Sequence, residues 1–401
     1  MEDIIIIGAG AGGLVIAIGA TKAGKKVLLI EKGHYGGDCT NFGCIPSKTL
    51  ISSAKKARTI KEGKEYGIAF ESENFSATAA LERVRKTIAE VRAHEDPEAL
   101  KKIGVNTLTG TASFEDPHNL LVIEPGGTTH KIYGKKIVIA AGSSPFIPPI
   151  EGLKETPYLT NETIFDLKEI PKTLGILGAG PIGCELAQAF ARLGSTVTLI
   201  KSKRGILPIE EKEVSSLIAE VFEKEGIRHI HLEVSHISYQ NGKFTMGDVQ
   251  VDELLISTGR RPNIGALNLE KAKITHSEKG IPLDAYGRTN QPHIFAIGDI
   301  VGRPFFTHMA ENMGRTVLTN LLLPWPFKKK LDHKQDVPHC TFTDPEVASF
   351  GLLEKEALEK FGAKKIATYT IPMTEVDRAI CTSRTEGFVK IVTKKWSSKI
   401  L

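Results

Sequence analysis

The sequence predicts an α/β fold built on two Rossmann-like dinucleotide-binding domains, and two observations carry that prediction. A β-branched run, Ile4–Ile7, leads into Gly8-Ala9-Gly10-Ala11-Gly12-Gly13 and then an apolar helical stretch. The same succession returns at Leu174–Leu177 and Gly178-Ala179-Gly180-Pro181-Ile182-Gly183. A continuous apolar strand suits a parallel sheet covered on both faces. A helix between strands is the crossover that such a sheet requires.

In the first repeat, Gly8, Gly10 and Gly13 fit the pattern G-x-G-x-x-G. Its glycines permit a tight turn, let backbone amides approach a pyrophosphate and allow close helix packing. The helix is expected to run through Ala23, after which Gly24-Lys25-Lys26 turns the chain into a second strand, Val27–Ile30. Glu31 ends that strand, about 20 residues beyond the turn, where a carboxylate meets a ribose diol.

In the second repeat the helix is expected over Cys184–Arg192, and Gly194 leads into the strand Ser195–Ile200. The position matching Glu31 is Lys201, followed by Ser202, Lys203 and Arg204. These cations could pair with a 2′-phosphate, which favours NADPH over NADH. The other reading is a set of ordinary exposed loop charges. Two such folds imply two dinucleotides, and a flavin is the natural relay between a hydride donor and a disulfide.

Between the repeats lies Gly36-Gly37-Asp38-Cys39-Thr40-Asn41-Phe42-Gly43-Cys44-Ile45-Pro46-Ser47-Lys48. A bridge across so short a loop gains little of the stabilisation that comes from closing long ones. Pro46 marks a helix start at Cys44, where the dipole and Lys48 favour a thiolate. The pair reads as a working redox disulfide.

Composition bounds the rest. The chain has 401 residues, 41% hydrophobic and 25% charged, with a net charge of +5. That is ordinary soluble composition with room for two or three domains, and too mild a charge to argue for nucleic acid. Lys328-Lys329-Lys330, after Pro324-Trp325-Pro326-Phe327, reads as a solvated connector. No apolar stretch spans a bilayer, so no membrane partner is expected. Met1-Glu2-Asp3 runs straight into the first strand, so a cytoplasmic location is expected. Cys184, Cys340 and Cys381 read as small, partly buried residues without a role, and no metal site is expected.

Taken together, these segments resemble the pyridine nucleotide-disulfide oxidoreductases, the flavoprotein family of dihydrolipoyl dehydrogenase, glutathione reductase and mercuric reductase. The resemblance runs through Gly110-Thr111-Ala112-Ser113-Phe114, Ala140-Ala141-Gly142-Ser143, Gly178–Glu185, Ser257-Thr258-Gly259-Arg260-Arg261-Pro262-Asn263 and Ile294–Asp299. It ends in Val337-Pro338 and Phe342–Ala348, which look like the opening of a dimerisation domain. It implies an FAD-binding domain at 1–150 and 260–330, an NAD(P)-binding domain at 151–259 and an incomplete α+β dimerisation domain at 337–401. Pro145-Phe146-Ile147-Pro148-Pro149 is a stiff crossover at the boundary, and Phe75–Lys102 reads as a charged surface helix.

The resemblance also implies roles. FAD would be held by Gly8, Gly10, Gly13, Glu31, Lys48, Ala112, Gly142, Gly298, Asp299, Met309 and Ala310. NADPH, or NADH, would be held by Gly178, Gly180, Gly183, Lys201, Lys203, Arg204 and Gly259. Catalysis would fall to Cys39, Cys44, Lys48 and Glu185, with Cys44 the sulfur next to the flavin and Cys39 the interchange thiol. Lys48 and Glu185 are similar to the family's ion pair at the hydride-accepting nitrogen; the alternative for Glu185 is an exposed first-turn acid that complements its helix dipole. Thr307-His308-Met309-Ala310 would start a helix aimed at the flavin, with His308 contributing only backbone.

The sequence departs from the family at its end. Relatives carry a C-terminal His-Glu pair that completes the site of the opposite subunit, whereas the last histidine here is His339. The chain therefore reads as a truncated version of a longer homodimeric protein, or as one that has lost the pair. The expected acceptor is a small-molecule disulfide or another two-electron acceptor. Mercuric-reductase-like or quinone-reducing activity, dihydrolipoyl dehydrogenase activity, and a catalytically impaired flavin-binding subunit are the alternatives. The spelling around Cys39 and Cys44 looks closer to mercuric-reductase-like members than to glutathione reductases, while the lack of an N-terminal metal-trafficking Cys-x-x-Cys and of a C-terminal vicinal cysteine pair weakens a mercuric reductase assignment.

Overall fold

The computed structural model describes residues 2–68, 76–302, 304–332, 337–397 and 399–401. The chain divides into two compact units. One comprises Met1–Thr49, Glu82–Phe146 and Gly259–Lys334; the other comprises Leu50–Leu81, Ile147–Thr258 and Gln335–Leu401.

The first unit is organised by a five-stranded parallel sheet in the order Ile294–Ala296, Ile137–Ile139, Ile4–Ile7, Val27–Glu31, Asn106–Thr109. The run of four isoleucines lies at its centre because both faces are buried. Ile4 and Ile6 pack into a cluster with Leu14, Ile16 and Val317. Ile5 and Ile7 enter a second cluster with Phe114, Leu120 and Val122. The second cluster is roofed by an antiparallel meander, Thr111–Phe114, Asn119–Ile123 and Thr129–Tyr133.

On the other face the helix Ala11–Lys22 packs against the helix Thr307–Leu322. Glycines set the approach. A Cβ on Gly12 would lie 2.8 Å from the Ala310 carbonyl oxygen, and one on Gly314 would lie 3.0 Å from that of Gly12. The expected charged helix is two helices, Thr78–Arg92 and Pro97–Lys102. Asp96 accepts the Ala99 amide at 2.8 Å, and Pro97 takes the first helical position, a start signal that ends any continuous reading. Phe75, the expected beginning of the stretch, lies outside the described residues.

The second unit repeats the parallel scheme in four strands ordered Arg228–His231, Thr196–Lys201, Thr173–Leu177, Glu253–Ile256. The C-terminal stretch of this unit adds the helix Glu354–Phe361 and the hairpin Ile366–Pro372/Phe388–Lys394. Among the described residues no helix is long and apolar enough to cross a membrane.

A charge-balanced cluster occupies the interior of this unit. Arg192 binds Glu225 in bidentate fashion at 2.8 and 2.7 Å, and reaches Asp344 at 3.0 Å. Arg58 also pairs with Glu225 and Asp344, and Arg384 with Glu62 and Asp344. Burial pushes the Asp344 carboxyl up, but Arg192, Arg384 and Arg58 outweigh it and hold it below the usual aspartate value. Arg192 is 7% exposed, so its removal leaves two carboxylates facing each other in a poorly solvated site.

Arg192→Met should therefore cost roughly 3 kcal/mol, seen as a lower denaturation midpoint in urea. Because the Asp344 pKa is depressed, its stabilisation is complete above the unfolded value of about 4. That stabilisation drains away as pH falls through the folded value, so the gap between wild type and variant should narrow on acidification.

Candidate active site

Both fingerprints fold alike. Gly8 and Gly178 sit at φ +106 and +116, and a Cβ on either would lie 2.3 or 2.4 Å from a carbonyl oxygen of the neighbouring strand end, Ala140 or Ser257. A Cβ on Gly13 would strike the Gly8 carbonyl oxygen at 2.0 Å, and one on Gly183 that of Gly178 at 1.9 Å. The middle glycines differ in kind. Gly10 and Gly180 are helix N-caps without side-chain capping. The space a Cβ would take at Gly180 is open, and at Gly10 it meets only Gly37 at 3.8 Å. Backbone N–H groups at a helix start, with no side chain capping them, fit a pyrophosphate at each turn.

In the first unit Glu31 accepts the Ala9 amide at 2.7 Å and the Gly33 amide at 2.8 Å. That leaves carboxylate lone pairs for ribose hydroxyls. Beside it opens a cavity of about 410 Å³ lined by Lys32, Gly110, Thr111, Ile123, Glu124 and Pro125. Ala112, next along the meander, is buried. This cavity suits the adenosine end of a flavin dinucleotide.

The redox segment is pinned to the fingerprint. Gly36 donates its amide to the Ala9 carbonyl at 2.9 Å. Gly37, at φ +62, comes so close to Gly10 that a Cβ would lie 2.6 Å from the Gly10 Cα. Buried Asn41 donates to the carbonyls of Tyr35 and Gly37 at 2.9 and 2.8 Å, and accepts from Arg92 at 2.8 Å.

Cys39 lies on the short helix Gly37–Asn41, and Cys44 is the first residue of the helix Cys44–Lys61. The two cysteines are not bonded to each other in the structure. A hydrogen bond from Cys39 draws the Cys44 pKa down to about 6, against burial, with help from the Thr307 hydroxyl and the Lys48 charge. Thr307 Oγ1 lies 3.4 Å from Cys44 Sγ. Cys39 is pushed far up by its bond to Cys44, by burial and by the Cys44 charge.

A polar network absent from the sequence reading joins this pair to the sheet. Arg260 donates to Asp38 at 2.9 Å, to Ser143 Oγ at 2.8 Å and to the Ser143 carbonyl at 2.9 Å. Ser143 in turn donates to Asp299 at 2.6 Å. Burial raises the Asp299 pKa, with Ser143 and Arg260 opposing. Asp299 follows Gly298, at φ +71, in the turn after Ile294–Ala296. Gly142, at φ +68, has its carbonyl capped by the Asn263 amide at 3.0 Å. Met309 is buried in the first turn of the helix Thr307–Leu322. His308 is exposed and stacks on Phe306 at 5.4 Å.

In the second unit Glu185 is not an exposed first-turn acid. It is 6% exposed, beyond the first turn of the helix Pro181–Arg192, and accepts the Phe342 amide at 2.9 Å. Lys48 belongs to the first unit and Glu185 to the second. Lys201 ends its strand, Lys203 pairs with Glu233 at 2.8 Å, and Gly259 has φ +135. Cys184 is fully buried, but Cys381 is exposed rather than partly buried.

The sequence matches the pyridine nucleotide-disulphide oxidoreductase family over residues 2–314 and that family's dimerisation domain over residues 337–401. It is 34% identical to a mercuric reductase of Shewanella putrefaciens, covering 100% of this chain and 72% of the relative. It is 32% identical to dihydrolipoyl dehydrogenase 3 of Haloarcula marismortui, covering 100% and 86%. The HOCl-induced flavoprotein disulfide reductase RclA of Escherichia coli, solved alone and as a Cu(II) complex, superposes with TM-scores of 0.87 and 0.88 at 30% identity, covering 100% of this chain and 88% of that one.

The opposed ionisation of the two thiols makes a direct prediction. Alkylation of the reduced protein by iodoacetamide at Cys44, followed by peptide mapping to separate it from Cys39 and the exposed Cys381, should rise with pH around an inflection near 6. In Cys44→Ser that component should be lost while Cys39, freed of the Cys44 hydrogen bond and charge, becomes more reactive. Lys48→Met should move the inflection upward, since a cation that favours the thiolate is gone.

Proposed function

The chain belongs to the pyridine nucleotide-disulphide oxidoreductase family, and from that membership we propose that it oxidises NADPH and passes the electrons through Cys39 and Cys44 to a thiophilic metal ion. The family is FAD-dependent and uses NAD(P)H, and bound FAD supplies the two-electron relay between nicotinamide and disulfide. Gly8, Gly10, Gly13 and Glu31 would hold its pyrophosphate and ribose, and Asp299 a hydroxyl of its sugar chain. Ala112, Gly142, Gly298, Met309 and Ala310 would line the same cofactor.

The observation that carries the acceptor is the asymmetry between two neighbouring thiols. Cys44, ionised beside Thr307 and Lys48, is the sulfur that stays; Cys39 keeps its proton and is the one that meets an external molecule. A dithiol with one proton already lost is a chelator for soft cations. Electron transfer re-forms the Cys39–Cys44 bond, releases the Cys39 proton and delivers two electrons, which reduce one Hg²⁺ to Hg⁰ or two Cu²⁺ to Cu⁺. The mercuric reductases and the Cu(II) complex of RclA among the relatives support this choice. The disulfide-reductase activity in the RclA name supports a second reading, in which Cys39 attacks a small disulfide and Cys44 resolves the mixed disulfide. Arg260, bound to Asp38 and Ser143, positions the redox helix. Glu185 is retained in the role the resemblance gives it, and residues 337–401 are proposed to form a homodimer.

NADPH is preferred because Lys201 stands where an acid would otherwise meet the ribose, with Lys203 and Arg204 following. Lys201→Glu should lower the NADPH-to-NADH ratio of kcat/KM about tenfold, the worth of one charge-assisted contact; an unchanged ratio would remove the basis for the choice. Anaerobic NADPH oxidation should be driven by Hg²⁺ or Cu²⁺ and be lost in Cys39→Ser. Turnover with a disulfide such as lipoamide and none with either metal would establish the second reading instead.

A further inference from the structure

The connector after the helix Thr307–Leu322 is solvated, as expected, but it is not loose. Leu323, Trp325 and Phe327 fall within one turn and are 45%, 69% and 65% exposed. Scattered single apolar residues are normal on a protein surface; three large ones on a single turn are a patch. The backbone beneath them is fixed. Asn320, 1% exposed, donates to the carbonyls of Tyr286 and Lys329 at 2.9 and 2.8 Å and accepts the Lys329 amide at 2.7 Å. Phe327 donates its amide to Pro324 at 3.0 Å, and Leu331 donates to Ala285 at 2.8 Å. The edge of Tyr286 braces the Trp325 ring at a centroid distance of 6.0 Å. The fold spends a buried asparagine on holding apolar side chains in water.

Around this turn the charge is predominantly positive. Lys328, Lys329 and Lys330 follow directly. Lys136 is held below its usual pKa by burial and by the charges of Lys328 and Lys25, so these ammonium groups share one neighbourhood. Lys135, Lys25 and Lys26 stand about Asp3, whose carboxylate already accepts the Lys26 amide. Asp284, near the turn in sequence to Tyr286, is tied to Arg288 at 2.7 Å. Asp332, exposed, is the acid that follows the basic run.

We propose that this turn and its lysine collar dock the protein on the surface of an anionic lipid bilayer. Trp, Phe and Leu at the tip match the apolar wedge that enters the headgroup region, and lysines behind it match the negative surface potential. The absence of a spanning helix among the described residues makes this a peripheral contact. Nucleic acid would satisfy the lysines but gives Leu323 and the tip of Phe327 no apolar phase to enter, so lipid is the better complement.

The chain has two tryptophans, so Trp396→Phe leaves Trp325 as the sole reporter. With that FAD-loaded protein, vesicles of phosphatidylglycerol and phosphatidylcholine should shift Trp325 emission to the blue and carry the protein down on sedimentation. Pure phosphatidylcholine should do neither, and raised salt should weaken the binding. In the Trp396-containing chain, Trp325→Ser with Phe327→Ser should reduce vesicle sedimentation at least tenfold while FAD content and NADPH oxidation stay unchanged. No blue shift with anionic vesicles, or sedimentation indifferent to the double substitution, would overturn the proposal. Retention on duplex DNA without any lipid-induced shift would assign the patch to nucleic acid instead.

Discussion

The approach of Gly37 to Gly10 is the contact on which the redox centre depends. Two backbones meet where any side chain at Gly37 would collide with the fingerprint turn. One helix start can therefore face a pyrophosphate while the short helix Gly37–Asn41, which carries Cys39, begins alongside. The close packing of Gly12 under Ala310 does the same for the helix that carries Thr307. Small residues bring three helix N-termini toward one end of the parallel sheet, where the strands deliver Glu31, Gly142 and Asp299. Such a convergence at strand carboxyl ends is what open α/β sheets use to bind ligands.

That geometry also divides the labour between two identical functional groups. Cys44 and Cys39 start from the same intrinsic acidity, yet one is drawn down and the other driven up. The hydrogen bond between them is the largest influence on both. Lys48 favours the charge on Cys44, the Thr307 hydroxyl favours ionisation of either sulfur, and Asp38 opposes it at both. Arg260 takes up that carboxylate at 2.9 Å, which moderates its repulsion of the thiolate. The same guanidinium, through Ser143, touches the network of Asp299. A single arginine thus links the redox helix and the strand-end acid.

Much of this was legible in the sequence because its signals are local. The four isoleucines, the spaced glycines, Glu31 and the closely spaced cysteines each lie within one or two elements, and the structure places those elements where periodicity put them. The Arg260 network was not legible. Asp38, Ser143 and Arg260 are scattered along the chain, and each is an unremarkable polar residue until the sheet gathers them around Asp299. For Glu185 only the alternative reading, an exposed first-turn acid, falls away: the side chain is buried and accepts the amide of Phe342, far away in sequence. The break between Arg92 and Pro97 could have been read from Asp96-Pro97, a cap followed by a first-position proline.

The cofactor preference turns on how firmly each cation is already engaged. Lys203 and Glu233 are 78% and 74% exposed, and exposed pairs of this kind contribute about 0–1 kcal/mol. Glu233 therefore holds Lys203 too weakly to keep it from a phosphate carrying nearly two charges. Lys201 is fixed differently. It ends its strand in register with His231 of the neighbouring strand, so its side chain leaves from ordered backbone at the edge of the nucleotide fold. A cation placed by a strand end costs less entropy to engage than one on a mobile loop. In the proposed preference for NADPH, Lys201 would be the principal contact, with Lys203 and Arg204 adding to its field.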